Sequence, residues 1–186
     1  MRSIVLYYSQ SGNTKRVAEL LATSMGTMAL RYTCPAFDGS PFGGLRQAWS
    51  IFSYATPKII LPKEFDGHYD LVVMAGPVWG ARPASPLRAI LKQKPLLGLK
   101  QAIFLTCEGS SARFPGEKAL SEACALCAQP PVAAELFKAI DLANDKVGIK
   151  VDAFAESLRR ATAPDTTAAD PTRSTDQTSQ ASDAAA

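Results

Sequence analysis

The residues best placed to do chemistry are Ser9-Gln10-Ser11-Gly12-Asn13-Thr14. Hydroxyl, amide and glycine positions alternate there between two apolar patterns. Before them, Ile4-Val5-Leu6-Tyr7-Tyr8 is β-branched and aromatic and reads as a buried strand. After them, Val17, Leu20, Leu21 and Met25 fall on one face of a helix. A strand, a polar loop and a helix start, joined with little slack, suit an anion. The first N–H groups of a helix lack partners within it, and the dipole there is positive. A phosphate at that end is held by those N–H groups. Ser9, Ser11 and Thr14 add hydroxyls, and Gly12 lets the backbone approach closely. The same residue types also cap helices with no ligand involved, so the hydroxyls alone leave both readings open.

Two later loops carry further candidates. Pro77-Val78-Trp79-Gly80 offers a broad indole face, which either stacks on a ligand or packs the loop onto the domain. Thr106-Cys107-Glu108-Gly109-Ser110-Ser111 follows another apolar run and supplies backbone donors. Several chemistries are disfavoured. A P-loop needs Gly-Lys-Ser/Thr closing a longer glycine loop, whereas Lys15 and Arg16 come only after Thr14. Cys107 through Arg113 has the spacing of a cysteine phosphatase loop, with a thiolate nucleophile and an arginine clamp. That spacing arises easily by chance, and no aspartic acid partner is evident. A phosphoacceptor domain needs acidic residues where Ser9-Gln10 and Ala75-Gly76 stand. Cys124 and Cys127 form Cys-x-x-Cys, but no second pair completes a zinc site. With Leu120 and Ala123 they share a helix face, which favours packing over redox. His68, in Asp66-Gly67-His68-Tyr69, reads as a turn residue.

These loops need elements to position them. Thr27 to Thr33 is expected as a second strand. Asp70 to Ala75 is an almost wholly apolar third, of the kind buried on both faces of a parallel sheet. Gly76 to Pro83 is expected as a loop, with Ser85 capping the next helix and Pro86 at its first position. Gln101 to Thr106 gives a fourth strand, Gly116 to Ala128 a helix, Val132 to Ile140 a fifth strand, and Asn144 to Arg160 a last helix. Strand and helix alternate five times, which predicts a parallel sheet with helices on both faces. The segment from Cys34 to Phe65 is long for a connection and rich in proline and aromatic residues. It reads first as a helix covering a sheet face, from about Leu45 to Ser53, and second as a lid over a substrate.

Ser-x-Ser-Gly-Asn-Thr directly after a first strand resembles the FMN-phosphate loop of the flavodoxin family, which binds a phosphate monoester without lysine. Pro77-Val78-Trp79-Gly80 is similar to the family loop whose tryptophan stacks on the isoalloxazine ring. The loop from Thr106 to Ser111 is similar, more loosely, to the one over the pyrimidine edge, with Phe114 a candidate for the other ring face. The resemblance spans roughly residues 3–160. It implies a flavodoxin-like three-layer α/β sandwich, a five-stranded parallel sheet of order 2-1-3-4-5, with FMN at the switch point. The implied binding residues are Ser9, Gln10, Ser11, Gly12, Asn13, Thr14, Pro77, Val78, Trp79, Gly80, Thr106, Cys107, Glu108 and Gly109. The implied function is electron transfer to a redox partner protein. The alternative is an FMN-dependent NAD(P)H:quinone oxidoreductase with a small quinone-like acceptor. A flavin-free binding module is disfavoured by the intact first loop and Trp79. Two features depart from the family's ordinary carrier: the aromatic Cys34–Phe65 segment and the sign of the charge.

Composition sets the outer limits. The chain has 186 residues, 47% of them hydrophobic, enough for one domain with a sizeable core. Residues 161–186 contain no Val, Ile, Leu, Met or aromatic residue, so they are expected to form a disordered tail behind a domain of residues 1–160. Four aspartates against Arg173 give that tail −3, which leaves +6 for the domain out of a total of +3. Typical flavodoxins are acidic. A positive domain favours anionic ligands or surfaces, yet no dense basic stripe marks a nucleic-acid groove. No apolar run approaches a membrane span, and the chain enters a strand at once, so a cytoplasmic protein is expected.

Overall fold

The computed structural model describes residues 2–39, 43–54, 56–93, 96, 98–109, 115–143 and 146–163; for residues 43–46 and 52 it describes the backbone alone. Five parallel strands form the sheet: β1 Ser3–Tyr7, β2 Met28–Arg31, β3 Leu71–Trp79, β5 Lys100–Cys107 and β6 Ala133–Lys138. A short strand, β4 Arg82–Pro83, folds back on β3. The spatial order is β2-β1-β3-β5-β6. Counting only the parallel strands, this is the order 2-1-3-4-5.

Side chains alternate across each central strand, as a period of two requires. Ile4, Leu6, Tyr8, Val72, Met74, Ile103 and Leu105 face one core, together with Leu87 and Ile90 of helix α3 (Ser85–Ile90) and Ala119 and Ala123 of α4 (Gly116–Ala125). Val5, Tyr7, Leu71, Val73, Ala75, Ala102 and Phe104 face the other, against Val17 and Leu21 of α1 (Asn13–Met25) and Val151, Phe154 and Leu158 of α6 (Val147–Thr162). Two cores on opposite faces explain why the middle strands read as unbroken apolar runs. Two further helices are α2 Gly43–Ser53 and the short α5 Ala139–Ala143.

Several boundaries differ from the sequence expectations. The second strand is shorter at both ends, and β6 stops at Lys138 because α5 begins at Ala139. The helix expected to reach Ala128 ends at Ala125, and that expected from Asn144 starts at Val147 and runs to Thr162. Ser85 is the first residue of α3 and not its cap; Ala84 is the cap residue, and no side chain caps the helix.

The largest difference lies between Gly76 and Pro83, which is a hairpin and not a loop. β3 continues beside β5 as far as the Pro77↔Thr106 pair. Proline is tolerated there because β1 has already ended, at the Tyr7↔Ala75 pair. Past it, Trp79 pairs with Arg82 across the two residues Gly80 and Ala81. Their φ values of 55° and 61° are those of a two-residue hairpin turn that follows the twist of the strands.

The Cys34–Phe65 excursion is closed at its base. Thr33 and Ile60 exchange both backbone hydrogen bonds, at 3.0 and 2.9 Å. Phe37 and Trp79 contribute to the same core, so this long connection is packed against the sheet end that carries the loops.

Candidate functional site

The polar loop Ser9–Thr14 is held from within. The Gly12 N–H donates to Ser9 Oγ at 3.1 Å, and Gly12 adopts a φ of 95° immediately before α1. A Cβ at Gly12 would meet nothing within 4 Å, so the backbone turn and not crowding calls for glycine. Space above the turn is left open to a ligand. Thr14 is 1% exposed, and its hydroxyl shares a 2.7 Å hydrogen bond with that of Thr106 at the end of β5. This bond fixes the start of α1 against the third loop. Ser11 Oγ and Asn13 Nδ2 both donate to Glu108 Oε1, at 2.6 and 2.7 Å.

All three sequence-predicted loops meet at one cavity of about 430 Å³. Gln10 and Ser11 line it from the first loop, Pro77, Val78, Trp79 and Gly80 from the second, and Thr106, Cys107, Glu108 and Gly109 from the third. Ser9, Gly12, Asn13 and Thr14 are not among the residues that line it. Ser110, Ser111, Arg113 and Phe114 lie outside the described residues.

Three further residues line the cavity without a motif to announce them: Gln47, Ile51 and Ala81. Gln47 and Ile51 are one helical turn apart on α2, so they share a face. Gly80 shows how closely that face approaches: a Cβ there would come within 2.8 Å of Ile51 Cγ2. Arginines secure the end of this roof. Arg88 Nη2 donates to the Ser50 carbonyl at 2.6 Å, and the Arg82 guanidinium lies 4.0 Å from the centre of the Tyr54 ring. The aromatic segment was legible as a covering element, but not which of its residues face the site.

Trp79 lies at the cavity and is also packed into the core. It is 6% exposed and meets Phe37 and Tyr8 edge-on, with ring centres 5.2 and 6.3 Å apart. Most of the indole surface is therefore already covered by protein.

Cys107 Sγ donates to the Gly109 carbonyl at 2.7 Å, and burial pushes its thiol up. A phosphatase nucleophile needs the opposite shift. The Cys124 and Cys127 thiols are half-buried against the core; burial raises both, Cys127 to about 11. That environment suits packing better than thiolate chemistry. The His68 side chain is 84% exposed, and the His68 N–H donates to Asp66 Oδ1 within the turn, at 3.0 Å. Among the described residues, no three His, Cys, Asp or Glu side chains gather into a group that could hold a metal ion. Among them, no helix is long and apolar enough to cross a membrane.

No family model matches the chain, and no curated protein matches it. Solved structures do. A flavoprotein from Lactobacillus acidophilus, crystallised in complex with FMN, aligns over 73% of this chain and 92% of its own, with 24% identity and a TM-score of 0.57. A protein from Bacteroides eggerthii assigned as a flavoprotein aligns over 83% and 98%, with 22% identity and a TM-score of 0.60. A flavodoxin from the domain Archaea aligns over 87% and 99%, with 14% identity and a TM-score of 0.50. At these identities the likeness is one of fold: the chain has the flavodoxin-like α/β fold.

Proposed function

We propose that the chain binds FMN in the cavity between its three loops and serves as a flavodoxin-like electron-transfer protein. The observation that carries this reading is positional. The hydroxyl-bearing loop at the start of α1 opens beside the ends of β3 and β5, at the point where the strand order reverses. Doubly wound sheets bind ligands at such a point, and the cavity falls within the usual range for a cofactor. The backbone N–H groups of Asn13 and Thr14 and the hydroxyl of Ser11 would hold the phosphate, while the Gly12 N–H is engaged by Ser9 Oγ. The flavin would lie along Pro77-Val78-Trp79-Gly80, with its pyrimidine edge toward Glu108-Gly109. FMN accepts a hydride and releases single electrons; the protein binds it, orients it and limits its contact with water.

The test compares FMN with riboflavin, which lacks the phosphate. Quenching of flavin fluorescence on addition to the apoprotein should show FMN binding at least about tenfold tighter, since a charge-assisted hydrogen bond contributes ~1.5–3 kcal/mol. Equal affinities would remove the phosphate from the first loop.

A second reading rests on Gln47 and Ile51. By lining the cavity they make the aromatic segment a roof, and a roofed flavin could receive a small quinone-like acceptor as an NAD(P)H:quinone oxidoreductase does. Anaerobic mixing separates the two. Bleaching of the bound flavin by NADH or NADPH within seconds, with reoxidation by a quinone, identifies the reductase. Reduction only by a flavodoxin reductase identifies the carrier.

A further inference from the structure

The phosphate loop has a charged neighbour from the opposite side of the site. Glu108 reaches across from the end of β5, and its Oε1 alone accepts from both Ser11 Oγ and Asn13 Nδ2. Asn13 is the first residue of α1, so this carboxylate sits at the positive end of a thirteen-residue helix. Two donors and a helix start are also what a phosphate would use there. Among the described residues, the two cations that follow the loop are directed elsewhere: Lys15 pairs with Glu19 at 3.7 Å, and Arg16 Nη1 donates to the Leu142 carbonyl at 2.8 Å.

We infer that Glu108 is the internal occupant of the phosphate loop, and that a phosphate ligand enters by exchange with it. The inference rests on the proposal that this loop holds the FMN phosphate. Two anions cannot share Ser11 and Asn13 without repulsion at hydrogen-bond distance. Glu108 is exposed, so its carboxylate can leave for water at the cost of two hydrogen bonds. Exchange then does two things. It sets the affinity for phosphate-bearing flavins below what the bare loop would give, and so narrows their preference over riboflavin. It also releases Glu108 from the first loop when the phosphate arrives, while the Thr14–Thr106 bond still ties the two loops at their base. Glu108 is thus a specificity-determining residue, one that acts against the phosphate.

The experiment measures dissociation constants of FMN and riboflavin for the whole chain and for Glu108→Gln and Glu108→Ala. Gln removes the repulsion but retains an acceptor; Ala removes both. The preference for FMN over riboflavin should rise on the order of tenfold in the Ala variant and less in the Gln variant, because charge-assisted hydrogen bonds are about twice as strong as neutral ones. Riboflavin, which lacks the phosphate, reports any change that Glu108 makes at the ring edge, and the ratio of the two constants removes it. An unchanged or smaller preference in both variants, with FMN still bound more tightly than riboflavin, overturns the exchange and leaves the flavin site standing. If no variant binds flavin, the flavin reading fails by itself. The exchange is then decided by inorganic phosphate, followed through the amide resonances of Asn13 and Thr14. Tighter phosphate binding in Glu108→Ala supports it, and equal binding overturns it.

Discussion

Thr14 and Thr106 show how a functional loop and the core share one bond. The two hydroxyls, 2.7 Å apart and buried, tie the start of α1 to the end of β5. A hydroxyl left without its partner in such a place costs about 1–3 kcal/mol, whereas replacing both by apolar groups of the same shape is nearly neutral. Thr14→Val and Thr106→Val should therefore each lower stability by about that amount, and the double variant should recover most of the loss. Urea unfolding of the four proteins checks this; additive losses would mean that the bond contributes little. The sequence marked both residues as site candidates, one in the phosphate loop and one in the loop over the pyrimidine edge. It could not show them bonded to each other, because that bond depends on parallel pairing between strands far apart in the chain. Trp79 carries a similar lesson. Its residue type and place pointed to a ligand, and it does line the cavity, yet Phe37 and Tyr8 cover most of the ring. Phe37 belongs to the long connection, and no periodic pattern linked it to Trp79.

At the scale of elements, the sequence located the strands well and misjudged one turn. Gly76-Pro77 looks like the end of a strand, because glycine and proline usually interrupt one. Here β1 ends first, so the missing proline donor faces no partner, and Gly76 gives Leu87 of α3 room to approach: a Cβ would stand 3.1 Å from Leu87 Cβ. The chain can then continue to Trp79 and reverse through Gly80 and Ala81. Ala81, at φ 61°, holds a conformation that costs an L-residue roughly 1–2 kcal/mol. Ala81→Gly should relieve that strain, and the greater freedom of glycine in the unfolded chain offsets part of the gain. A net stabilisation of about 0.5–1 kcal/mol is expected, seen as a rise in Tm of ~1–4 °C. Gly80→Ala should do the reverse and by more, since it adds a Cβ 2.8 Å from Ile51 Cγ2. A lower Tm for Ala81→Gly would show that the methyl group's packing outweighs the backbone strain.

For the whole molecule, apolar patterning carried most of the fold. Central strands buried on both faces, separated by amphipathic helices, leave few topologies once crossovers are right-handed. What patterning could not place was the Cys34–Phe65 excursion, because its position is set by contacts at distant points: the Thr33–Ile60 bridge, and Arg88 on the end of α2. The other end of the chain poses the opposite question, how little of it the domain needs. α6 buries Val151, Phe154 and Leu158 and runs to Thr162, whose hydroxyl donates to the Leu158 carbonyl at 2.7 Å. Arg159 Nη1 and Arg160 Nε pair with Glu156 at 3.2 and 3.1 Å. The last turn of α6 thus has partners of its own. Residues 164–186, outside the described part of the protein, offer no Val, Ile, Leu, Met or aromatic side chain with which to add to either core. Their charge matters more than their packing: the four aspartates and Arg173 all fall there, so removing them leaves a chain more positive by three. A chain ending at Ala163 should keep its Tm within about 1 °C, since the residues removed carry no large apolar side chain to bury. It should also bind FMN as tightly as the full chain at 0.15 M salt, where charges more than ~8 Å apart are screened. A fall of many degrees would mean that the last residues dock on the domain. A rise in FMN affinity that disappears at high salt would mean that the tail's negative charge reaches the phosphate loop.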